Sequence, residues 1–170
     1  MPSRRLVLRP LLSAALLCLV PPCALALDAA AGKVVLSVTG PLGQPNAGPQ
    51  ADFDMAMLEK LPQHSFTTAT PWYPQARTFT GPLLRDVLAA AAAKGTSLHL
   101  VALNDYKVEM PAEDARRFEV IIARLLDGQP MPVRDKGPLF VVYPYDSNAE
   151  LRSERYYSRS AWQLRAIEVR

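Results

Sequence analysis

Aromatic and hydrogen-bonding side chains are concentrated in five short segments of this chain. The segments are residues 67–73, 104–106, 134–138, 143–146 and 155–162. A flat heteroaromatic ligand needs this mixture, because ring faces stack on aromatic side chains while ring edges require directional hydrogen bonds. The residue types therefore predict a binding site for a flat, polar ring.

Individual side chains in these segments suit different parts of such a ring. Trp72 and the tyrosines offer faces for stacking. A 2-amino-4-oxo pyrimidine edge presents adjacent N–H donors, which a single carboxylate, Asp105 or Asp146, could accept together. Asn104 could pair with a neighbouring acceptor and donor on the same ring.

Two basic residues, Arg134 and Lys136, suit a carbonyl oxygen or an anionic side arm of the ligand. Each of these assignments has a structural alternative. Asn-Asp is a common turn pair, the tryptophans could be core residues, and charged loops often form weak surface ion pairs.

Several other chemistries lack the residues they require. Residues 27–170 contain no cysteine and two histidines, His64 and His99, with no zinc-ligand spacing. No serine lies in a Gly-x-Ser-x-Gly elbow, and neither a phosphate loop nor a Gly-x-Gly-x-x-Gly motif occurs. The sequence thus argues against the common zinc, serine-hydrolase and nucleotide-binding classes.

Residues 1–26 are typical of a secretory signal peptide. Arg4, Arg5 and Arg9 precede an apolar run at residues 11–20, and Ala24-Leu25-Ala26 forms a small-residue cleavage site. We predict cleavage near Ala26, a periplasmic location and one domain at residues 27–170, with no membrane-spanning segment after cleavage. The paired arginines also resemble a twin-arginine export motif, so the export route stays open.

Removal of this segment changes the charge and thiol content of the protein. Its three arginines account for the net charge of +3, so residues 27–170 are formally neutral and nucleic-acid binding is not expected. Both cysteines, Cys18 and Cys23, also leave with the segment, so the mature domain has no disulfide.

Hydrophobic patterning predicts an α+β fold that positions these loops. Short strands are expected at residues 34–38, 65–70, 77–80, 98–103, 106–110, 120–126, 139–143 and 163–169. A short helix capped by Asp54, an amphipathic helix from Gly81-Pro82 to Lys94-Gly95, and a helical turn at residues 111–117 lie between them. Hairpin-like joints such as Asp127-Gly128 favour α+β over a regular βαβ repeat.

Motifs along residues 34–170 resemble the sulfite oxidase-type molybdopterin-binding family in their order and spacing. They are FTTATPW (66–72), FTGPLLRDVL (79–88), ALNDYKVEMP (102–111), DGQPM (127–131), KGPL (136–139), VYP (142–144) and WQL (162–164). The resemblance implies a mixed, twisted β core with short helices and a pterin cofactor bound by loops at one end. The candidate cofactor-binding residues are then Thr70, Trp72, Asn104, Asp105, Tyr106, Arg134, Lys136, Tyr143 and Asp146.

One departure from that family bears directly on function. Its enzymes hold molybdenum through the pterin dithiolene and one protein cysteine, placed after a strand like residues 65–70. This chain has Ala69, Thr70 and Pro71 there, and a threonine hydroxyl is a poor replacement for a soft thiolate ligand. Small members without the cysteine resemble pterin-binding proteins, some of them exported and suited to report pterin levels to a membrane signalling protein.

Three hypotheses follow from these observations. The first is a non-catalytic periplasmic protein that binds a free pterin non-covalently and relays its level to the periplasmic domain of a membrane signalling partner. The second is a molybdopterin-dependent oxidoreductase, or a degenerate subunit of one. The third is an interaction scaffold that has kept the fold and lost the ligand.

Overall fold

A five-stranded mixed sheet forms the larger half of the molecule. The computed structural model describes residues 27–170; the predicted signal peptide, with both cysteines, lies outside them. The strand order is β2-β1-β11-β5-β6, in which β1 and β11 are parallel and the other neighbours antiparallel. The strands are β1 (Val34–Thr39), β2 (Ala51–Asp54), β5 (Ser97–Ala102), β6 (Lys107–Pro111) and β11 (Leu164–Val169).

An antiparallel four-stranded sheet and a two-stranded ribbon form the other half. The sheet has the order β3-β4-β8-β9, and the ribbon pairs β7 with β10. Isolated bridges join Leu83 to Ile121 and Phe140 to Trp162, so the ribbon connects to β4 and to the start of β11. The strands are β3 (Gln63–Thr68), β4 (Arg77–Pro82), β7 (Ile121–Ala123), β8 (Leu125–Leu126), β9 (Gln129–Pro130) and β10 (Phe140–Val142).

Four short helices cover the sheets. They are α1 (Met55–Lys60), α2 (Leu84–Ala90), α3 (Ala112–Arg117) and α4 (Glu154–Tyr157). Single 3-10 turns occur at Val133–Asp135, Tyr145–Ser147 and Ala149–Leu151. Within residues 27–170, no helix has the length and hydropathy needed to cross a bilayer.

One apolar core lies between these layers. Alternate residues of β1 are buried, as expected for a strand with one face on the core, whereas the ribbon strands β7 and β10 are buried throughout. The largest fully buried side chains are Tyr143, Tyr145, Phe53, Phe79 and Phe140. Aromatic packing therefore dominates the core beside the ribbon.

Most of the predicted elements are present with bounds shifted by a few residues, and both ends of α2 differ for physical reasons. Gly81 and Pro82 end strand β4 and do not start α2, because they pair with His64 and Gln63 of β3. A Cβ on Gly81 would lie 2.0 Å from the Ile122 carbonyl oxygen, so this position needs glycine. Helix α2 ends at Ala90, before Lys94-Gly95, since Ala92 adopts a left-handed conformation with φ of 47°.

The predicted strand at residues 120–126 is divided in two. Strands β7 and β8 flank Arg124, whose amide donates to the Thr80 carbonyl oxygen at 2.9 Å. The Asp127-Gly128 hairpin is confirmed: both residues have positive φ, 49° and 77°, as in a type I′ turn between β8 and β9.

Asp54 is confirmed as the N-cap of α1. We expect low pH to destabilise the start of this helix, because protonation of Asp54 weakens the cap. Its carboxylate accepts hydrogen bonds from Met57 N at 2.8 Å and Gly32 N at 2.7 Å, and these hold the pKa of Asp54 below its usual value. Because the folded-state pKa is lowered, this stabilisation is complete above the unfolded pKa of about 3.9 and is lost as pH falls through the folded value.

Thermal melting between about pH 6 and pH 2 tests this expectation. Asp54→Asn should flatten the acid limb of the melting curve relative to the wild type. Asp86→Asn is the matched control, since the Asp86 carboxylate makes no hydrogen bond within residues 27–170 and this variant should keep the wild-type slope. An unchanged acid limb in Asp54→Asn would contradict the assignment.

Candidate functional site

A cavity of about 590 Å³ opens where the two halves of the molecule meet. It is lined by residues 71–72 after β3, by the β5–β6 turn from Ala102 to Tyr106, and by the 154–162 segment that leads into β11. We call it the aromatic cavity. Its volume falls within the range of about 300–1,000 Å³ that is typical of small-molecule sites.

Trp72 is the centre of the aromatic cavity. The rings of Tyr157 and Trp162 each stand at 83° to the Trp72 ring, with centroids 6.1 and 5.8 Å away. Phe140 and Tyr145 pack edge-on against Trp72 at 5.3 and 6.2 Å. Trp72 is thus packed against rings from several segments. Of these rings, those of Tyr157 and Trp162 stand nearly perpendicular to the Trp72 ring.

Two aromatic side chains of the cavity are unusually open to solvent. Tyr106 is 56% exposed and Trp162 is 39% exposed. Large exposed aromatic residues that border a cavity provide stacking surface at little cost in conformational entropy. The cavity therefore offers exposed ring faces on which a flat ligand can stack.

The β5–β6 turn carries the polar side of the cavity. Asn104 Oδ1 accepts a hydrogen bond from Tyr106 N at 3.2 Å, while its amide nitrogen donates no hydrogen bond within the described chain. Asp105 has a left-handed backbone with φ of 63°, and its carboxylate pairs with Arg165, whose Nε also donates to the Ala102 carbonyl oxygen at 3.1 Å. Asn104 accordingly has an available donor, whereas Asp105 is already paired.

Gln163 ties the loops around the cavity together. Its carbonyl oxygen accepts from Leu103 N at 2.9 Å, and its own amide donates to the Lys136 carbonyl oxygen at 2.9 Å. Its side-chain amide donates to the Val133 carbonyl oxygen at 2.7 Å. Asp105, Lys136 and Gln163 all have positive φ, a strained conformation that is common around binding sites.

A buried hydrogen-bond network anchors the 154–162 segment through Arg159. Asp114 Oδ2 accepts hydrogen bonds from Tyr143 Oη and Arg159 Nη1, both at 2.7 Å. Burial and the bond to Asp114 raise the pKa of Tyr143, so its hydroxyl stays protonated as a donor. Tyr143 is fully buried and lines neither cavity, so the structure makes it a core residue and not an exposed stacking surface.

Arg134 and Lys136 lie at a second cavity of about 430 Å³, which we call the basic cavity. Lys136 Nζ is 5.2 Å from the centroid of the Tyr73 ring and 5.4 Å from that of Trp162. Arg134 is 87% exposed and pairs with Asp135 at 3.5 Å. Lys136 thus lies between the two cavities, while Arg134 is on the far side.

Two further predicted residues, Thr70 and Asp146, line neither cavity and lie at the short segment that connects β3 to Trp72. The Thr70 hydroxyl is buried and has no hydrogen-bond partner among the residues that the structure describes. Asp146 Oδ2 accepts from Ala69 N at 2.7 Å, and Asp146 N donates to Thr68 Oγ1 at 3.1 Å. Asp146 therefore fixes the chain that leads to Trp72.

The structure brings some of the predicted residues together and separates others. Trp72, Asn104 and Tyr106 line the aromatic cavity. Arg134 and Lys136 line the basic cavity. Sequence reasoning did not single out Glu154, Tyr157, Ser158 or Ser160, although the aromatic bias of residues 155–162 marked the segment in which most of them lie.

The residues present do not fit a molybdenum centre. Residues 69–71, where the resemblance to the sulfite oxidase-type family would place the metal ligand, supply no thiolate, and Thr70 offers a hydroxyl. Among residues 27–170, no three or more His, Cys, Asp or Glu side chains are grouped so that they could hold a metal ion. The aromatic cavity instead combines ring faces, hydroxyls, an amide and one carboxylate, a set suited to a flat organic ligand.

Comparison with known proteins supports the fold assignment. No family model and no curated protein matches the chain. A solved structure that is similar to it is the sulfane dehydrogenase SoxCD from Paracoccus pantotrophus, with a TM-score of 0.59 and 18% sequence identity. The match covers 79% of this chain and 37% of the SoxCD chain, so this protein spans a little over a third of that length. The predicted α+β, sulfite oxidase-like fold is thereby confirmed.

Proposed function

We propose that this protein binds a free pterin non-covalently in the aromatic cavity and is not itself a catalyst. The observation that carries the proposal is the grouping of Trp72, Tyr106, Tyr157 and Trp162 around one cavity in a sulfite oxidase-like fold. A bicyclic heteroaromatic ring has two faces that such side chains can stack on.

Hydrogen-bonding groups of the cavity suit the edge of the same ring. The Asn104 amide nitrogen is available to donate, and the Ser158 side chain lies on the cavity wall. A pterin edge carries carbonyl and ring-nitrogen acceptors beside N–H donors, which amide and hydroxyl groups can pair with. Recognition by a few polar groups within a mostly apolar cavity is the usual arrangement of small-molecule sites.

The second candidate function is a molybdopterin-dependent oxidoreductase, favoured by the likeness to sulfane dehydrogenase SoxCD. The residues described above argue against it, because residues 27–170 contain no cysteine that could supply a thiolate to hold the metal. The pterin-binding function needs only the ring-binding part of such a site. We therefore rank it first.

The cellular location of the protein and its signalling partner are also proposals. The predicted signal peptide supports export to the periplasm, with the mature domain at residues 27–170. A pterin bound there would alter the loops that Gln163 ties together and so change the surface offered to a membrane signalling partner. Such signalling requires the pterin to bind one loop arrangement more tightly than another.

Tyr106→Ala is expected to weaken pterin binding without unfolding the protein. Removal of one stacking ring costs about 1–3 kcal/mol, which corresponds to an affinity loss of about 5- to 150-fold. Because Tyr106 is 56% exposed, its removal should change the free energy of unfolding by less than about 0.5 kcal/mol. Fluorescence titration of the purified protein with a pterin, next to a urea unfolding curve, measures both quantities.

Tyr106→Phe is the matched control, since it keeps the ring and removes only a hydroxyl that makes no hydrogen bond within residues 27–170. Its affinity should stay within about twofold of the wild type. Equal affinities for Tyr106→Ala and wild type would count against the aromatic cavity as the binding site, and no saturable binding by the wild type would refute the function itself.

A further inference from the structure

We infer that strand β3 is a dimerisation edge, on which β3 of a second copy of this chain pairs in antiparallel fashion about a twofold axis at Ser65. The inference concerns the outer edge of the four-stranded sheet and does not depend on the ligand of the aromatic cavity. Pairing of the two edges would join the four-stranded sheets of the two copies into one continuous sheet, with the two β3 strands at its centre.

The backbone of β3 alternates between groups that face β4 and groups that face away from the sheet. The Thr80 carbonyl oxygen of β4 accepts a hydrogen bond from Arg124 N at 2.9 Å, on the side away from β3. Its partner in β3 is Ser65, and Gln63 lies opposite Pro82, which has no N–H to donate. Residues opposite each other in an antiparallel pair exchange either both hydrogen bonds or neither. The backbone groups of residues 63, 65 and 67 therefore point outward.

These outward groups form a free stretch of sheet edge. The backbone N–H and C=O groups of Gln63, Ser65 and Thr67 have no hydrogen-bond partner within residues 27–170. The next outward amide, Ala69 N, donates to Asp146 Oδ2 at 2.7 Å, so the free stretch ends there. Residues 63–68 include no acidic residue, lysine, arginine or proline. Such an edge presents a row of donors and acceptors to which another strand can add.

The other outer edges of the two larger sheets are protected. On β2, Asn46 Oδ1 accepts from Asp52 N at 2.7 Å and Asn46 Nδ2 donates to the Asp52 carbonyl oxygen at 2.9 Å. Strand β6 carries Lys107 and Glu109, and β9 has only two residues, of which one is Pro130. Covering groups, charges, prolines and short strands are the means by which proteins keep sheet edges from pairing. Among the edges of these sheets in the described chain, β3 alone lacks such protection.

The sequence of β3 suits pairing with its own copy. With Ser65 on the twofold axis, Ser65 faces Ser65 of the second copy, Gln63 faces Thr67, and His64 faces Phe66. No two side chains of like charge are then opposed, which would destabilise the pair. The outward residues 63, 65 and 67 all fall in hydrogen-bonded pairs, so that each copy satisfies the free backbone groups of the other. A single strand pair is smaller than a standard interface, and we therefore expect a reversible dimer.

Sedimentation velocity of the mature protein over a concentration series tests the inference. We expect the dimer fraction of the wild type to rise as the concentration approaches about 1 mM. Ser65→Pro removes an outward N–H, which a sheet edge tolerates, and should weaken the dimer at least about tenfold because each copy loses a hydrogen bond. Ser65→Ala is the matched control. It also loses the hydroxyl contact with Thr80 but keeps the N–H, and its association should stay within about twofold of the wild type.

A pair of charge variants locates the twofold axis. Ser65→Lys and Ser65→Glu should each dimerise about fivefold more weakly than the wild type at low ionic strength, because like charges then face each other across the axis. An equimolar mixture of the two should dimerise about as well as the wild type, since opposite charges are then paired.

The outcomes separate clearly. A wild type that stays monomeric throughout the series would overturn the inference. A dimer that neither Ser65→Pro nor the like-charge variants weaken would place the contact on another surface, and it too would overturn the inference. If circular dichroism shows that Ser65→Pro is unfolded, the charge variants decide: recovery in the mixture supports pairing at β3, and its absence refutes it.

Discussion

Asp114→Ala is expected to lower the free energy of unfolding by about 3–5 kcal/mol. Asp114 accepts hydrogen bonds from Tyr143 and Arg159, and the side chains of Asp114 and Arg159 are only 9% and 14% exposed. Truncation of Asp114 leaves a nearly buried guanidinium and a buried hydroxyl without their partner. Such losses are far larger than those of surface ion pairs, because water cannot replace the missing group.

The adjacent residue provides a matched control for this variant. Glu113 pairs with Arg116 on the surface of α3, where both side chains are about 60% exposed, so Glu113→Ala should cost less than about 1 kcal/mol. Urea unfolding of the two variants gives the comparison. Equal costs for Glu113→Ala and Asp114→Ala would show that the buried network does not hold the segment in place.

The buried network of Asp114, Tyr143 and Arg159 should also affect ligand binding. Arg159 lies between Ser158 and Ser160, which both line the aromatic cavity. Loss of the Asp114 partner should therefore loosen the cavity wall, and Asp114→Ala should bind pterin more weakly even under conditions where it remains folded. Tyr143→Phe, which keeps the salt bridge and removes one hydrogen bond, should have an intermediate effect on stability.

Trp72→Ala is expected to have the largest effect on pterin binding. The ring of Trp72 is in edge-on contact with four others, those of Phe140, Tyr145, Tyr157 and Trp162. Its removal takes away a stacking surface and also lets the neighbouring rings shift. We expect an affinity loss of about 150-fold, at the upper end for a stacking residue, and a stability cost of about 3 kcal/mol.

Trp72→Phe separates these two contributions. A phenyl ring retains part of the edge-on packing, so it should recover most of the stability while restoring only part of the affinity. Fluorescence titration and urea unfolding of the two variants provide the comparison. A Trp72→Ala protein that is folded and binds pterin as tightly as the wild type would place the ligand elsewhere.

Local signals in the sequence were enough to predict the fold class and several elements. Asp54 caps α1 because its side chain reaches a donor three residues away, and Asp127-Gly128 forms a hairpin because both residues tolerate positive φ. The Gly81-Pro82 pair was misassigned to a helix start. Its role depends on the Ile122 carbonyl, a contact with a residue about forty positions away that no local pattern shows.

Contacts between residues distant in sequence also limited the prediction of the candidate site. Trp72, Asn104 and Tyr106 meet at one cavity, and their neighbourhood was expected from the family resemblance and not from periodicity. Residue type alone could not distinguish Tyr143, fully buried against Asp114, from Tyr106, which is largely exposed. Nor could it show that Asp105 has a cationic partner while Glu154 has none within the described residues, since Arg165 lies sixty positions away from Asp105.

The central claim is that this sulfite oxidase-like fold holds a pterin ring without a bound metal. The most direct measurement is the composition of the protein isolated from its native source, with pterin quantified by mass spectrometry after extraction and metals quantified by elemental analysis. The account predicts a saturating amount of releasable free pterin and no stoichiometric molybdenum. Molybdenum at one equivalent per chain, recovered together with molybdopterin, would contradict it.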